Sequence, residues 1–359
     1  MHHERSPVMT ARPGRSPTRP VAMAVAAAGL LAVLGAGCSS TPSGSTSLPA
    51  VNVGRVPLGI YAGSGDPTRI AGFAARTGTK PSLASDYLPR TEGWAGMVTV
   101  KGLRHVLAPW QGSPYQLVLG VPMLPTHNGH EDGTMTLGAA GRYDAEFATL
   151  AKTLVHYGQG DAILRVGWEF NGTWYPWSVT NRTEAAHFVG YFHDIVTSMR
   201  TVPGAEFRFV WNATSGPEPL AASYSYPGNA YVDYIGLDLY DQVWGIPEEP
   251  GLAWPRYVTE VDGLQWLASF ASSHQKAAVI PEWGLTIRPD GHGLGDDPLY
   301  VAKMAQWIST HDVAFSSYFD VDAPDGSHDI LDHDFSRSLV VFERSFAAAH
   351  PVLLRTPAA

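Results

Sequence analysis

The spacing of hydrophobic and polar residues changes repeatedly along the chain from about residue 55 onward. Short, nearly continuous apolar runs alternate with longer stretches in which apolar residues recur every three or four positions. The runs predict eight strands, at residues 56–63, 81–88, 115–123, 162–170, 207–214, 233–241, 277–285 and 313–320. The longer stretches predict helices, among them residues 143–158, 183–200, 261–275, 298–311 and 336–350.

Strands that are apolar throughout and alternate with helices are typical of a parallel sheet covered by helices. Eight such units predict a single-domain α/β fold, a (β/α)8 TIM barrel, over residues 55–355. The competing architecture is an open doubly wound sheet, which is expected to carry a glycine-rich phosphate turn after an early strand. The closest candidate, GIYAGSGDP at residues 59–67, lacks the G-x-G-x-x-G spacing.

The N-terminal segment has the pattern of a secretory signal. Residues 21–37, VAMAVAAAGLLAVLGAG, form an apolar run that follows three arginines. Its end, LGAGC, resembles a bacterial lipobox, so residues 1–38 are predicted to be a signal peptide with Cys38 as the site of lipidation. A simple signal peptide or an uncleaved anchor is the alternative. Residues 39–54 are rich in Ser, Thr, Gly and Pro and predict a flexible linker.

These features predict an exported protein. We expect a lipoprotein that faces outward from the cell membrane through a lipid on Cys38, or a secreted protein if the lipobox is not used. A net charge of −9 without a long basic run outside the N-terminus argues against nucleic acid as a partner. We expect a monomer without a cofactor.

Two glutamates lie at the C-terminal ends of predicted strands, where TIM barrels carry their catalytic residues. Glu169 ends the fourth strand and Glu282 ends the seventh, and both lie in aromatic segments, WEFNGTWYPW and PEWG. Glycoside hydrolysis needs two such carboxyl groups: one protonates the leaving oxygen, and the other attacks the anomeric carbon when the pair is about 5–5.5 Å apart. We expect the rings around Glu169 to raise the pKa of this acid.

The segments RVGWEFNGTWYPW, WNA, YPGNAYVDYIGLDLYD and PEWG, in this order, resemble glycoside hydrolase family 26 over roughly residues 55–345. The resemblance implies a retaining glycosidase of O-glycosyl bonds with endo action on a β-linked polysaccharide, of the mannan or the glucan and xylan class. It implies Glu169 as acid/base, Glu282 as nucleophile, Tyr240 as a hydrogen-bond donor to the nucleophile and Trp174 as a sugar-stacking ring. Mannanases of the family usually carry His before the acid; Trp168 stands there, which weakens the mannan assignment.

Other residues near the two glutamates receive less specific predictions. Arg165 and Glu169 are four apart on a predicted strand, so both should point into the barrel, and Asp238 is the expected ion-pair partner of Arg165. Asn171 either orients its loop or meets a sugar hydroxyl. Substrate contacts are also predicted for Trp168, Trp177, Trp244 and Trp283, although one or two of the last three are expected to pack in the core.

The loop PMLPTHNGHEDG at residues 122–133 carries two histidines and two acids. We interpret it as a surface loop on the catalytic face, with His127 as a possible substrate contact, in preference to a metal site. A metal-dependent barrel hydrolase would need His-x-His on the first strand, where GIYAG has none. The main alternative to the enzyme is an inactive carbohydrate-binding lipoprotein on the same barrel. The presence of both carboxylates and Tyr240 favours the enzyme.

Overall fold

All eight predicted strands form, and they close into a parallel barrel in which each strand pairs with its neighbours in the chain. The structure is a computed structural model that describes residues 51–245 and 249–347. The strands are β1 (Leu58–Tyr61), β2 (Leu83–Tyr87), β3 (Gln116–Val121), β4 (Ile163–Val166), β5 (Arg208–Thr214), β6 (Tyr234–Tyr240), β7 (Ala277–Gly284) and β8 (Val313–Phe319). The predicted (β/α)8 barrel is confirmed.

Helices surround the strands. Within the described residues they are α1 (Pro67–Thr77), α2 (Gly93–Val98), α3 (Arg104–Leu107), α4 (Met135–Gly138), α5 (Asp144–His156), α6 (Arg182–Arg200), α7 (Pro250–Thr259), α8 (Leu264–Ser273), α9 (Pro298–Thr310) and α10 (Ser336–Phe346). Short 3-10 turns lie at Ala108–Trp110, Ala222–Ser225 and His333–Phe335, and two-residue hairpins pair Thr126–His127 with His130–Glu131 and Asp322–Ala323 with Gly326–Ser327.

Two hydrophobic layers explain why the strands are apolar on both faces. The inner layer closes the lower part of the barrel and takes side chains from seven strands: Leu83, Val118, Ile163, Val210, Tyr234, Val279 and Phe315. The outer layer joins the strands to the helices and is much larger. Because both faces of each strand are buried, the hydrophobic runs are continuous and do not alternate with polar residues.

Local sequence signals fix where several helices begin. Asp66 accepts hydrogen bonds from the backbone N–H groups of Thr68 and Arg69, and Pro67 occupies the first turn of α1. Asp297 and Pro298 repeat this arrangement at the start of α9. A short acidic side chain followed by proline satisfies the free N–H groups of the first turn and presets the helical φ angle.

Strand β7 contains an extra residue. Gly236 pairs with Val279 and Asp238 pairs with Glu282, so two steps along β6 correspond to three steps along β7. The irregularity coincides with Pro281, which has no N–H to donate to a sheet. A bulge of this kind changes which face the following side chains occupy. It turns Glu282 toward the interior of the barrel.

The packed chain begins slightly before the predicted boundary at residue 55. Val53 is buried, and its N–H donates to the carbonyl of Ser345 over 2.8 Å, at the end of α10. The predicted signal peptide, Cys38 and most of the predicted linker lie outside the described residues. Among the helices of the described part of the chain, none combines the length and the apolar character required to cross a bilayer.

Candidate active site

A large cleft opens at the C-terminal ends of the strands. It has a volume of about 870 Å³, within the usual range for a small-ligand site, and is bordered by residues that follow every barrel strand except β3. Glu169, Glu282, Tyr240, Trp168, Trp174 and Trp244 all border it. The sequence therefore brings most of the predicted site residues together, and the cleft lies at the end of the barrel where chemistry is expected.

Glu169 is placed by a turn and not by the strand itself. Strand β4 ends at Val166, and the chain then turns through Gly167 and Glu169, whose φ angles are +57° and +52°. The assumption that strand alternation carries on to Glu169 was wrong in this detail. A non-glycine residue with positive φ is uncommon and is often found at a functional site. The backbone N–H of Glu169 donates to the carbonyl of Asn212 on β5 over 2.9 Å, which holds the turn against the barrel.

Glu282 lies on β7 among hydrogen-bond donors. Its Oε1 accepts from the Tyr240 hydroxyl at 2.5 Å, and its Oε2 accepts from Arg165 Nη2 at 2.9 Å and from the Tyr87 hydroxyl. Two phenols and a guanidinium thus stabilise negative charge on this carboxylate. Burial and the charge of Glu282 raise the pKa of both Tyr87 and Tyr240 well above the usual phenol value, so both hydroxyls stay protonated and donate.

The two glutamates face each other across the floor of the cleft. One carboxyl oxygen each from Glu169, Glu282 and Asp238 lies within 4.8 Å of the others. This distance between the nearest oxygens of Glu169 and Glu282 agrees with the short carboxyl separation of retaining glycosidases. The positive charge of Arg165 already lies against two of these three acids, so the cluster forms an ion-pair network.

Arg165 is fully buried beneath the cleft and has four partners. Its Nη2 lies 2.5 Å from Asp238 and 2.9 Å from Glu282, its Nε donates to Asn212 Oδ1 at 2.8 Å, and its Nη1 donates to Tyr87 at 3.1 Å. The contact with Asp238 was predicted. The contact with Glu282 was not, and it makes the guanidinium a direct support of the candidate nucleophile.

Glu169 has different surroundings from Glu282. Burial and then the charge of Glu282 raise the pKa of the Glu169 carboxyl to about 8. The Trp174 indole N–H donates to Glu169 Oε2 at 2.9 Å and, with the more distant charge of Arg165, opposes that rise. At neutral pH the site therefore contains a protonated acid facing a carboxylate that is held by three donors.

Two tryptophans that border the cleft are largely exposed. Trp174 is 51% exposed and Trp244 is 45% exposed, and both border the cleft. The Arg288 guanidinium lies 5.6 Å from the centre of the Trp244 ring, and the His292 ring stacks on it at 5.2 Å. Trp168 borders the cleft more deeply, at 6% exposed, and its indole N–H donates to the Tyr175 hydroxyl at 3.1 Å. Exposed rings held in fixed orientations suit stacking on sugar rings.

Trp177 and Trp283, two of the predicted substrate contacts, are fully buried and do not border the cleft. Trp177 packs between Trp168 and Tyr175 and donates to the Trp168 carbonyl at 2.9 Å. Trp283 packs in the outer layer near Phe342. Neighbouring residues of a strand face opposite sides, so an inward Glu282 requires an outward Trp283.

Asn171 and His127 are also not in contact with the cleft. Asn171 is fully buried and exchanges two hydrogen bonds with the backbone of Thr214, at 2.8 Å and 2.9 Å, so it orients its loop. His127 is exposed in the short hairpin of Thr126–His127 and His130–Glu131 and does not border the cleft. Among the described residues, the histidines and acids of this loop form no cluster with metal-binding spacing.

Sequence reasoning missed several contributors to the site, of which Tyr87 is the most important. It ends β2 and follows Leu83 and Ser85 on the inward face, so strand alternation could have located it. Asn212, which holds Arg165, follows Val210 on β5 in the same way. Neither residue is acidic, and Asn212 stands in the WNA segment without a chemical feature that singles it out in the sequence.

Comparison with known protein families supports the resemblance to family 26. The model of glycosyl hydrolase family 26 matches residues 145–273, less than half of the chain, and this segment contains Glu169 and Tyr240 but not Glu282. Endoglucanase H of Acetivibrio thermocellus is 31% identical over 126 residues, which are 33% of this chain and 13% of that protein. The chain thus spans only a small part of that relative.

Solved structures show the same fold. A Bacillus subtilis mannanase is 14% identical, with a TM-score of 0.56, covering 85% of this chain and 91% of the mannanase. The catalytic domain of an endo-β-1,4-mannanase from Bacillus sp. JAMB-750 is 15% identical, with a TM-score of 0.57, covering 82% and 87%. Together with the family match, these structures confirm the predicted resemblance to family 26 and its barrel.

Proposed function

We propose that this protein is a retaining glycoside hydrolase with endo action on a β-linked polysaccharide. The observation that carries the proposal is the pairing of Glu169 and Glu282, whose carboxyl oxygens lie within 4.8 Å in one cleft but in opposite electrostatic surroundings. Glu169 is the acid/base, Glu282 is the nucleophile, and Tyr240 and Tyr87 orient the nucleophile. A binding protein has no need of such a pair.

In the first step, Glu282 attacks the anomeric carbon while Glu169 gives its proton to the departing glycosidic oxygen. The donors Tyr240, Tyr87 and Arg165 fix the direction of the Glu282 oxygens, which brings the attacking atom close to the sugar before reaction. The product of this step is a sugar ester of Glu282.

The second step reverses the role of Glu169. Formation of the ester removes the negative charge of Glu282, and this charge is the second largest of the three causes that raise the pKa of Glu169, after burial and ahead of the charge of Asp325. The pKa of Glu169 therefore falls once the first product has left. As a carboxylate, Glu169 then removes a proton from the water that attacks the ester, and the sugar leaves with its original configuration.

The preferred sugar is proposed from two observations. The relatives named above are mannanases in two cases and an endoglucanase in the third. The indole of Trp168 has a single donor, which Tyr175 already occupies, so this residue cannot hold a sugar hydroxyl as a histidine would. We therefore propose the glucan and xylan class ahead of mannan.

A panel of β-1,4- and β-1,3-linked glucans, mannans and xylans tests the proposal. We expect release of oligosaccharides from at least one polymer, with NMR showing the β-anomer first. First appearance of the α-anomer would exclude a retaining mechanism. Binding of a polymer without any release would favour the alternative, a carbohydrate-binding protein without catalysis.

We also propose that the protein is exported and held at the outer face of the membrane by a lipid on Cys38, with the barrel acting as a monomer. The support is the sequence of residues 1–38 alone, where an apolar run ends in LGAGC. Polysaccharides are extracellular polymers, so an exported location agrees with the proposed substrate.

A further inference from the structure

One arginine in the cleft has no acidic partner. Arg90 follows β2 and borders the cleft, and within the described part of the chain its guanidinium makes no hydrogen bond or ion pair. Its Nε is buried without a hydrogen-bond partner. The Trp177 ring lies beside the group, with its centre 5.9 Å from Cζ.

The guanidinium beneath the cleft and the other one that borders it are both neutralised. Arg165 lies against Asp238 and Glu282, and Arg288 lies 2.8 Å from Asp290 and 3.2 Å from Asp325. Glu92, two residues beyond Arg90, makes no ion pair with it. A guanidinium stays cationic at every pH that a protein tolerates. Arg90 therefore places a free positive charge in a cleft where similar charges are paired.

The charges of the cleft are divided between its two sides. Of the acids that border it, Glu169 follows β4, Glu282 lies on β7 and Asp325 follows β8. The residues that follow β1 and β2 and border the cleft are instead hydrogen-bond donors or apolar; Thr91 and His105 are donors, whereas the Ser64 side chain already bonds to the buried carboxylate of Asp86. An anion bound on this side would meet the Arg90 guanidinium, and none of the carboxylates that border the cleft comes from these loops.

We propose that Arg90 binds an anionic group of the glycan, either a sugar carboxylate or a sulfate ester. Both present two oxygens to the two parallel N–H bonds of a guanidinium. A neutral sugar hydroxyl could accept one hydrogen bond but would leave the charge unmatched, and a buried donor without a partner is unfavourable. The inference rests on the proposed function and narrows its substrate to an acidic β-linked polysaccharide.

The test uses one oligosaccharide backbone in three forms: neutral, oxidised at C6 to the carboxylate, and sulfated at O6. Turnover is measured with the full-length wild-type protein, and affinity is measured by calorimetry with Glu282→Ala. We expect kcat/KM for one anionic form to exceed that for the neutral form by roughly tenfold or more. The anionic form that is preferred identifies the group.

Three variants assign the preference to Arg90. Arg90→Gln should abolish the preference for the anionic over the neutral substrate. Arg90→Lys should retain part of this preference, because lysine keeps the positive charge but lacks the two parallel N–H donors of a guanidinium. Arg288→Gln removes one charge from a paired arginine of the same cleft and should retain the ratio. The melting temperature of Arg90→Gln should stay near that of wild type, whereas a purely structural Arg90 would lower it.

The outcomes separate this inference from the proposed function. Cleavage without an anionic preference, or a preference that persists in Arg90→Gln, overturns the inference and leaves the glycosidase. Binding of an anionic form through Arg90 without cleavage supports the inference and overturns the glycosidase. Failure to bind or cleave any of the three forms, on every backbone of the panel, overturns both.

Discussion

Glu169 and Glu282 are identical side chains in surroundings that favour the protonated acid at Glu169 and stabilise negative charge at Glu282. These surroundings predict different losses of activity when each residue is mutated. Glu282→Ala should abolish turnover of every substrate, because no other group forms the ester. Glu169→Ala should reduce turnover of poor leaving groups by about 10²–10⁴-fold and spare dinitrophenyl glycosides, which depart without a proton. Steady-state kinetics on both substrate types, with exposed Glu206→Ala as control, measures this difference.

Azide gives an independent check of these roles. In Glu169→Ala it should restore the rate and yield a glycosyl azide of retained configuration, because it can attack the ester without a base. Equal loss on good and poor leaving groups, without rescue by azide, would remove Glu169 from the acid/base role.

The hydrogen bond from Trp174 to Glu169 predicts a shift in the pH profile. Activity requires protonated Glu169, so kcat/KM should fall as the pH rises through about 8. The bond lowers the pKa of Glu169, so Trp174→Phe should raise this pKa and move the alkaline limb to higher pH. Profiles on a substrate with a poor leaving group measure the shift, and Trp244→Phe, which has no bond to Glu169, should leave the limb in place. Movement to lower pH would contradict the assignment.

Residues with uncommon chemistry could be identified from the sequence, whereas residues whose role depends on their neighbours in the folded barrel could not. Glu169, Glu282 and the Arg165–Asp238 pair could be found because charged residues in apolar strands need a reason. Tyr87 resembles any core tyrosine until the barrel brings it against Glu282. Trp177 and Trp283 look like sugar-binding rings in the sequence, and only packing shows that they are buried.

At the scale of elements, the turn after β4 predicts that a methyl group added at Gly167 lowers the free energy of unfolding. Gly167 has a φ of +57°, and a Cβ there would lie 2.4 Å from Met123 Sδ and 2.9 Å from Met123 Cγ. Gly158 has a φ of +75° and open space around a Cβ. Both Ala variants should lose roughly 1–2 kcal/mol for the backbone, and Gly167→Ala should lose about 1–3 kcal/mol more for the clash.

Denaturant unfolding of the two variants measures this difference in the free energy of unfolding. Gly167→Ala should also lower kcat, because displacement of the turn moves Glu169 away from Glu282. Equal stability of the two variants would show that Met123 moves aside without cost.

The ion pair between β4 and β6 predicts a loss of stability on mutation that a second mutation partly restores. Arg165→Met leaves Asp238 buried and unpaired, which should cost about 3–5 kcal/mol of unfolding free energy, and it should lower activity through Glu282. Adding Asp238→Asn removes the unpaired charge and should recover much of the stability but not the activity. An unchanged melting temperature in Arg165→Met would contradict the buried placement of the pair.

The strands were predictable as elements, and their ends were less so. The apolar runs marked all eight strands to within about three residues, apart from β4, which ends at Val166 and not at residue 170. The positive φ angles at Gly167 and Glu169 end that strand, and an apolar pattern carries no information on them. The extra residue at Pro281 likewise shows only in the pairing of β7 with its neighbours.

At the scale of the whole molecule, Cys38 predicts where the protein is found in the cell. The wild-type chain should incorporate labelled palmitate and fractionate with membranes, and Cys38→Ser should do neither while it retains its glycosidase activity. Labelling and fractionation of cells that express the two proteins measure this. Membrane fractionation of Cys38→Ser without label would indicate an uncleaved anchor in place of a lipid.

The contact between Val53 and Ser345 has a consequence for orientation. Val53 precedes β1, so the chain enters the barrel at the N-terminal ends of the strands, while the cleft opens at their C-terminal ends. At Val53 the chain therefore lies at the pole opposite the cleft. A solid support attached at this pole would leave the mouth of the cleft open to long polymers.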